Sequence, residues 1–305
     1  MSDAGSPDLG AWIGRSEETE GRIDAAPAQA LSATLDRDES GPVPGSGSGF
    51  GPGTPLPALW HWLYFLPLTR ARDIGPDGHA RRGGFLPPVP LPRRMWAGGR
   101  LQYRAALAIG DRVERRSTVE RVEAKQGRSG ELVFVTVRHE FLRAGDALPA
   151  LTEWHDIVYR EPPRPGAAAP APLPAPAEAA WSRTWHPDDV MLFRYSALTF
   201  NGHRIHYDRR YVTEVEGYPG LVVHGPLIAT LLLELLQSQR PQALLASFRF
   251  EALRPCFDGR PLAVHGRPQD DGGVAGRVVL WACDDAGALA MRAEAVLAPP
   301  ASPAR

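Results

Sequence analysis

In the run Phe200-Asn201-Gly202-His203-Arg204-Ile205-His206-Tyr207-Asp208, two histidines, an amide and a carboxylate share the eight positions 201–208. His224-Gly225-Pro226 follows eighteen residues after His206 and opens a Leu-rich segment. Histidine titrates near neutral pH and can take and return a proton in one turnover, which makes His206 the candidate proton carrier. Asn201 cannot act as a base, but its amide can hold a water or a carbonyl. Asp208 either orients an imidazole or caps a helix start. His203 and His206 have the spacing of a metal pair, yet an ion needs at least a third ligand, and neither His-Glu-x-x-His nor Cys-x-x-Cys occurs. His139-Glu140 offers no help, since neighbours on a strand face opposite ways. The expectation is no metal and no cofactor.

His224-Gly225-Pro226 combines three properties of a helix start. A helix N-terminus exposes N–H groups and a partial positive charge, glycine admits close approach, and proline fits the first turn. The N–H of Gly225 can therefore serve as an oxyanion donor, with a plain helix start as the alternative. Serine and cysteine nucleophiles lack support: no Gly-x-Ser-x-Gly elbow is present, and Cys256 and Cys283 have no adjacent histidine.

The elements that must position these groups are legible in outline. His224–Gln239 reads as a helix ending before Pro241, followed by strand-like runs at Leu245–Leu253, Pro261–Arg267, Gly276–Cys283 and Leu289–Leu297. In the first half, Pro27–Leu35 and Leu56–Leu66 are candidate helices. Strand-like runs follow at Arg100–Ala106, Asp111–Val122, Glu131–Arg143 and Leu151–Tyr159. A helix followed by an antiparallel meander, present twice, predicts an α+β fold: a double hotdog, with a sheet wrapped around a helix in each half. A β-sandwich is the alternative. The Pro- and Ala-rich segment 162–177 reads as a semi-rigid linker between residues 1–161 and 178–305. The Gly-rich loop Gly41–Gly53 has no phosphate-binding spacing and reads as a flexible connection.

Composition bounds the function. The chain has 305 residues, with Lys+Arg 34 against Asp+Glu 35 and a formal net charge of -1. No global field selects nucleic acid or an anionic membrane. The longest apolar run, Leu227–Leu233, is too short to span a bilayer. The start Met1-Ser2-Asp3 shows no secretory signal, and two cysteines build no disulfide framework, so a cytoplasmic setting is expected.

The run Arg194–Asp208, together with Gly220-Leu221-Val222-Val223-His224-Gly225-Pro226, resembles the MaoC-like hydratases. Within them it is most similar to the type 2 hydroxyacyl-thioester dehydratases and the 3-methylfumaryl-CoA (mesaconyl-CoA) hydratases. Trp12-Ile13-Gly14-Arg15, Leu59–Phe65, Gly83–Gly99, Leu132–Val137 and Asp156–Tyr159 resemble the amino-terminal part of that group, so the likeness covers nearly the whole chain. It implies a double hotdog hydro-lyase with an acyl-CoA thioester between an N-terminal binding domain (1–161) and a C-terminal catalytic domain (178–305). In the broader family a catalytic Asp stands five residues before the catalytic His, with an Asn between. Here those places hold Asn201 and His203, and the histidine is kept as His206. Either His206 manages both proton transfers, or His203 or Asp208 supplies the second group.

The activity implied is reversible hydration of 3-methylfumaryl-CoA to citramalyl-CoA. The alternatives are hydration of itaconyl-CoA, dehydration of 3-hydroxyacyl thioesters in fatty-acid synthesis, and acyl-CoA binding without catalysis. The substrate carboxylate calls for a guanidinium in a dry pocket. Arg204 is the first candidate, Arg93 and Arg94 the next, with His224 also expected beside the substrate. The resemblance leaves monomer and homodimer both open.

Overall fold

The protein is described by a computed structural model covering residues 8–37, 49–127, 130–162, 171–269 and 276–299. Its centre is one antiparallel sheet of ten strands. The first half supplies β1 (Ser16–Arg22), β2 (Arg93–Tyr103), β3 (Arg112–Gly127), β4 (Gly130–Arg143) and β5 (Leu151–Arg160). The second supplies β6 (Trp181–Trp185), β7 (Leu245–Ala252), β8 (Leu262–Pro268), β9 (Arg277–Cys283) and β10 (Leu289–Leu297). Across the sheet the order is β1-β3-β4-β5-β2-β7-β10-β9-β8-β6. Each half has the same internal connectivity, and the halves meet where β2 pairs with β7 from Gly98↔Glu251 to Gln102↔Ser247.

The described residues also form the α-helices α1 (Ala25–Thr34), α2 (Asp189–Leu198), α3 (Arg209–Glu214) and α4 (Gly225–Gln239). Helix α4 is apolar on nearly every face, with Leu227, Leu231 and Leu232 fully buried, as expected of a helix enclosed by a sheet. It packs on β6, β8, β9 and β10. Helix α1 packs on α2, so an element of the first half supports the segment that leads into the histidine motif. None of the described helices is long and apolar enough to cross a membrane.

The strand runs read from the sequence are all present, with β2 beginning earlier than expected, at Arg93. One expected helix is not. Leu56–Leu66 forms only a 3-10 turn at Trp60–Leu63, because Leu59 (φ 69) and Phe65 (φ 54) both adopt the left-handed region and interrupt helical geometry. Its bulky side chains still fill the core, with Trp60, Leu63 and Phe65 buried. The helix ahead of the first half's meander is therefore α1 (Ala25–Thr34), close to the expected Pro27–Leu35, and not Leu56–Leu66. Residues 163–170 of the expected linker and 41–48 of the Gly-rich loop lie outside the described residues.

The β2–β7 seam is unusually close. A Cβ on Gly98 would stand 2.5 Å from the Phe250 carbonyl oxygen, and one on Gly99 would stand 2.9 Å from the Phe250 ring. Gly98→Ala is expected to destabilise the protein by about 1–3 kcal/mol, the usual cost of overpacking a rigid interior. Denaturant unfolding would check this, and an unchanged midpoint would show that the seam has slack.

Candidate active site

Helix α2 delivers the motif through a tight C-terminal cap. Phe200 N–H bonds to the Ala197 carbonyl and Asn201 N–H to the Ser196 carbonyl, while Phe200 takes φ 51. This is a Schellman closure with Phe where glycine is usual. Asn201 then folds back, its Oδ1 accepting from His203 N–H at 3.0 Å. A 3-10 turn at Arg204–His206 follows, and Asp208 caps α3 by accepting from Tyr211 N–H.

His206 is buried and lines a cavity of about 1480 Å³ between the two halves. That exceeds the roughly 300–1,000 Å³ of ordinary ligand pockets and suits an extended ligand. The ring's Nδ1–H donates to the Val222 carbonyl at 2.7 Å, which fixes the tautomer and leaves Nε2 without a hydrogen-bond partner among the described residues. Behind it lies His224, stacked at 3.7 Å between ring centroids and bonded through Nε2 to Ser196 Oγ at 2.8 Å. Burial pushes the His206 imidazole down to about 4, against the opposing Val222 hydrogen bond. Near neutral pH His206 is an uncharged base.

Gly225 opens α4 on the cavity wall, with space where a Cβ would be. Pro226 has no N–H, so the first turn offers the Gly225 N–H to the cavity at the positive end of the helix dipole. A helix N-terminus and a neutral imidazole therefore line one cavity.

The first half also lines the cavity, and apart from Arg94 its residues there escaped the sequence reading. The loop carrying Asp77-Gly78-His79 is seated on the motif: Arg204 N–H donates to the Asp77 carbonyl at 2.9 Å, and Arg204 Nη1 to Pro76 O at 3.0 Å. Gly78 (φ 90) is required here, since a Cβ would collide with the Gly202 carbonyl. His79 Nδ1 bonds to Asp77 Oδ2 at 2.9 Å, and His79 N–H to Asp77 Oδ1 at 3.0 Å. The His79 ring lies 4.0 Å from His203, which lies 5.4 Å from His206. Burial pushes His203 down to about 2, helped by its neighbours His79 and His206. Asp77, His79 and His203 bring one donor atom each within 4.8 Å, a spacing an ion could use; the Asp77–His79 hydrogen bond also accounts for two of them without one. Pro76-Asp77-Gly78 is a turn signal followed directly by His79, and the aspartate-histidine pair spanning it was the available clue.

Several expected roles are redistributed. Asp208 does not touch His206: it caps α3 and accepts from Arg204 Nη2 at 2.7 Å, the helix-start alternative. Arg204 is therefore committed to Asp208 and to the Tyr211 ring (4.2 Å), and its side chain is outside the cavity lining. Arg93 is likewise engaged by Glu216, at 3.2 Å. His224 is fully buried behind His206 rather than beside a ligand. Of the three arginine candidates only Arg94 lines the cavity, where it bonds to Tyr159 and its charge acts on His79, His155 and His203. Asn201 and His203 line it too.

Deeper in the first half the same cavity meets a second polar cluster. Glu153 is buried and accepts from His61 Nε2 and Trp62 Nε1, each at 2.9 Å. Burial opposes its ionisation, but the His61 hydrogen bond and charge hold it down at about 2. Burial also lowers His139 to about 4 and His155 to about 3.

Known proteins place this geometry in context. Residues 59–258 match the family model for hydroxyacyl-thioester dehydratase type 2. The chain is 44% identical over 288 residues to a mesaconyl-C(4)-CoA hydratase of Chloroflexus aurantiacus, covering 94% of this chain and 97% of that one. It is 30% identical to the mitochondrial type 2 hydroxyacyl-thioester dehydratase of Schizosaccharomyces pombe, over 79% of this chain and 87% of the other. Among solved structures, a MaoC-like dehydratase from Phytophthora capsici superposes with a TM-score of 0.66 at 15% identity, covering 94% of this chain and 97% of its own. A Mycobacterium tuberculosis protein described as a double hotdog gives 0.52 at 17%, covering 94% and 96%. The fold is the double hotdog, α+β.

The buried histidines set a pH dependence of stability. Their folded-state values lie below the ordinary 6.5, so the unfolded chain binds more protons as pH falls below 6.5, and the folded state loses ground. Glu153 adds to the loss below about 4.5, because its folded value is lowered as well. The melting temperature is expected to fall by about 5 °C or more between pH 7 and pH 5. A flat profile in scanning calorimetry would show that these histidines are solvated.

Proposed function

Since the chain belongs to the hydroxyacyl-thioester dehydratase type 2 family, we propose that it adds water reversibly across the double bond of an α,β-unsaturated acyl-CoA, with mesaconyl-C4-CoA as substrate and citramalyl-CoA as product. The observation that carries this reading is the pairing of His206 Nε2, neutral and facing the cavity, with the open N-terminus of α4 at Gly225. His206 takes a proton from water. The oxygen bonds to the β-carbon while the π pair moves through the α-carbon onto the thioester oxygen, and the N–H of Gly225 meets that charge. Proton delivery to the α-carbon closes the addition. A positioned base contributes about 10²–10⁴-fold, and one oxyanion donor about 3–4 kcal/mol.

In mesaconyl-C4-CoA the β-carbon carries a methyl group and a carboxylate. Arg94 is the guanidinium on the cavity wall and takes over the role expected of Arg204. Asn201, whose side-chain N–H₂ is uncommitted within the Asx turn, holds the water. In this reading residues 1–161 bind substrate and 178–305 carry the motif. The free, buried thiols of Cys256 and Cys283 agree with a reducing, cytoplasmic setting. Dehydration of 3-hydroxyacyl thioesters uses the same transition state in reverse and remains the second reading, favoured by the description of the family itself.

Loss of thioester-enone absorbance measures the reaction directly. His206→Ala is expected to lower kcat by about 100-fold or more; a variant keeping over a tenth of the rate would remove His206 from the role of base. Arg94→Met should cost about 2–5 kcal/mol in kcat/KM on mesaconyl-C4-CoA, the usual loss of a buried charged partner. Crotonyl-CoA, which lacks the carboxylate, should be nearly unaffected; equal losses on both substrates would show that Arg94 serves only the fold.

A further inference from the structure

The second proton-transfer group is missing from the motif itself. Asn201 does not titrate, Asp208 is turned away onto Arg204 and the start of α3, and His203 touches no carboxylate at hydrogen-bonding distance. Resting on the hydratase reading, we propose that His79, oriented by Asp77 from the first half of the chain, is the residue that exchanges the α-proton.

Three independent observations carry it. First, the Asp77–His79 unit is built as an orienting pair: one carboxylate oxygen holds the ring Nδ1 at 2.9 Å and the other the backbone N–H of the same residue at 3.0 Å. With Nδ1–H directed at the carboxylate, Nε2 is the free atom, and His79 lines the cavity while Asp77 stands behind it. Second, the loop is placed by direct contact with the motif rather than by chance proximity. The Arg204 N–H bond to the Asp77 carbonyl and the Gly78–Gly202 backbone approach leave no room for adjustment. Third, the His79 ring contacts His203, which in turn contacts His206, and all three line the same cavity as Gly225, so a second imidazole beside His206 is exposed to that cavity.

The proton count balances if the two histidines hold one proton between them. In dehydration, neutral His79 takes the α-proton as the C–H bond breaks. The electron pair forms the double bond, and protonated His206 gives its proton to the departing hydroxide, releasing water. In hydration the proton begins on His79, moves to the α-carbon, and His206 receives the one lost by water. After product leaves, both rings reset by exchange with solvent. The groups facing His79 are Asp77 on its own loop, Arg94 on β2, Arg82, and His203 on the motif loop. Burial and Arg94 favour the neutral ring, and Asp77 opposes them. A substrate carboxylate seated on Arg94 would offset that guanidinium, so the carboxylated substrate helps His79 to hold its proton.

The decisive measurement separates the α-proton step from the water step. A saturated analogue, 2-methylsuccinyl-CoA with its thioester on C4, has no hydroxyl to lose and can only exchange its α-hydrogen. In D₂O, followed by NMR, wild type and His206→Gln are expected to exchange it, while His79→Gln exchanges at least 100-fold more slowly and also loses hydration. Should His79→Gln unfold, His79→Ala with added imidazole replaces it, and recovery of exchange is then expected. Asp77→Asn should slow exchange and move its acid limb to lower pH, a shift that a purely structural role would not produce. Normal exchange in His79→Gln would overturn the proposal, as would hydration lost to a chelator and restored by Zn²⁺ alone. If wild type exchanges through His79 but hydrates no enoyl-CoA, the dyad stands and the hydratase reading falls.

Discussion

Five residue pairs between β2 and β7 turn two half-sheets into one, and the site depends on that seam. Gly98 and Gly99 allow it, because any side chain there would press on Phe250. The seam fixes where the first half's loops end up relative to the second half's motif. With the sheet continuous, the loop at Asp77–His79 comes to rest against Gly202 and Arg204. Neither half could form the cavity alone: Gly225, His206 and Asn201 come from one side, and His79, Arg94 and His155 from the other. A duplicated fold thus has halves that no longer do the same work. The second half has the long enclosed helix α4 of 15 residues, whereas the first half has the shorter α1 of 10 residues and the 3-10 turn Trp60–Leu63.

Burial is the second constraint, and it acts on charge. His139, His155, His203 and His206 are all lowered far enough to be neutral near pH 7, with burial as the largest cause in each. The charges that persist are held by specific contacts: Glu153 by His61 and Trp62, Asp77 by His79, Arg94 by Tyr159. In a dry cavity each fixed charge has more effect than it would in water. A neutral imidazole at His206 is also the form that takes a proton, so the burial that costs stability in acid suits the role proposed for it.

Much of the fold was legible because it follows period. The strands β7 to β10 and β2 to β5 alternate or run apolar between turn residues, and α4 announces itself by Pro226 and a continuous run of leucines. What escaped had no such signal. Strand β1 (Ser-Glu-Glu-Thr-Glu-Gly-Arg) is a charged edge with no apolar face, and β6 is five residues long. Leu56–Leu66 looked helical by composition, but backbone geometry at Leu59 and Phe65 overrode it. In the site, His206, Asn201 and His203 share one motif and Gly225 opens the next helix, which is why sequence could group residues that line one cavity. Sequence could not tell that Asp208, four residues on, captures the Arg204 guanidinium and that Arg204 is absent from the cavity lining. Asp77 and His79 were missed for a related reason: they lie more than a hundred residues from the motif they face.

That distance also bears on why an amide stands at 201. A carboxylate there would lie in the same wall as His206, where a dicarboxylyl substrate would bring its own negative charge. Two carboxylates in a dry site repel strongly, and one would have to take up a proton. Asn201 keeps the hydrogen-bonding capacity without the charge. In the proposed mechanism the carboxylate function moves to Asp77, which is shielded from the cavity by the His79 ring and kept ionised by hydrogen bonds from that residue. Arg94 then supplies the positive charge that the acyl group's free carboxylate needs. On this view the departure from the family pattern is an electrostatic adjustment to the substrate: the negative charge is placed behind a histidine, and the positive charge is placed where the acyl carboxylate would be.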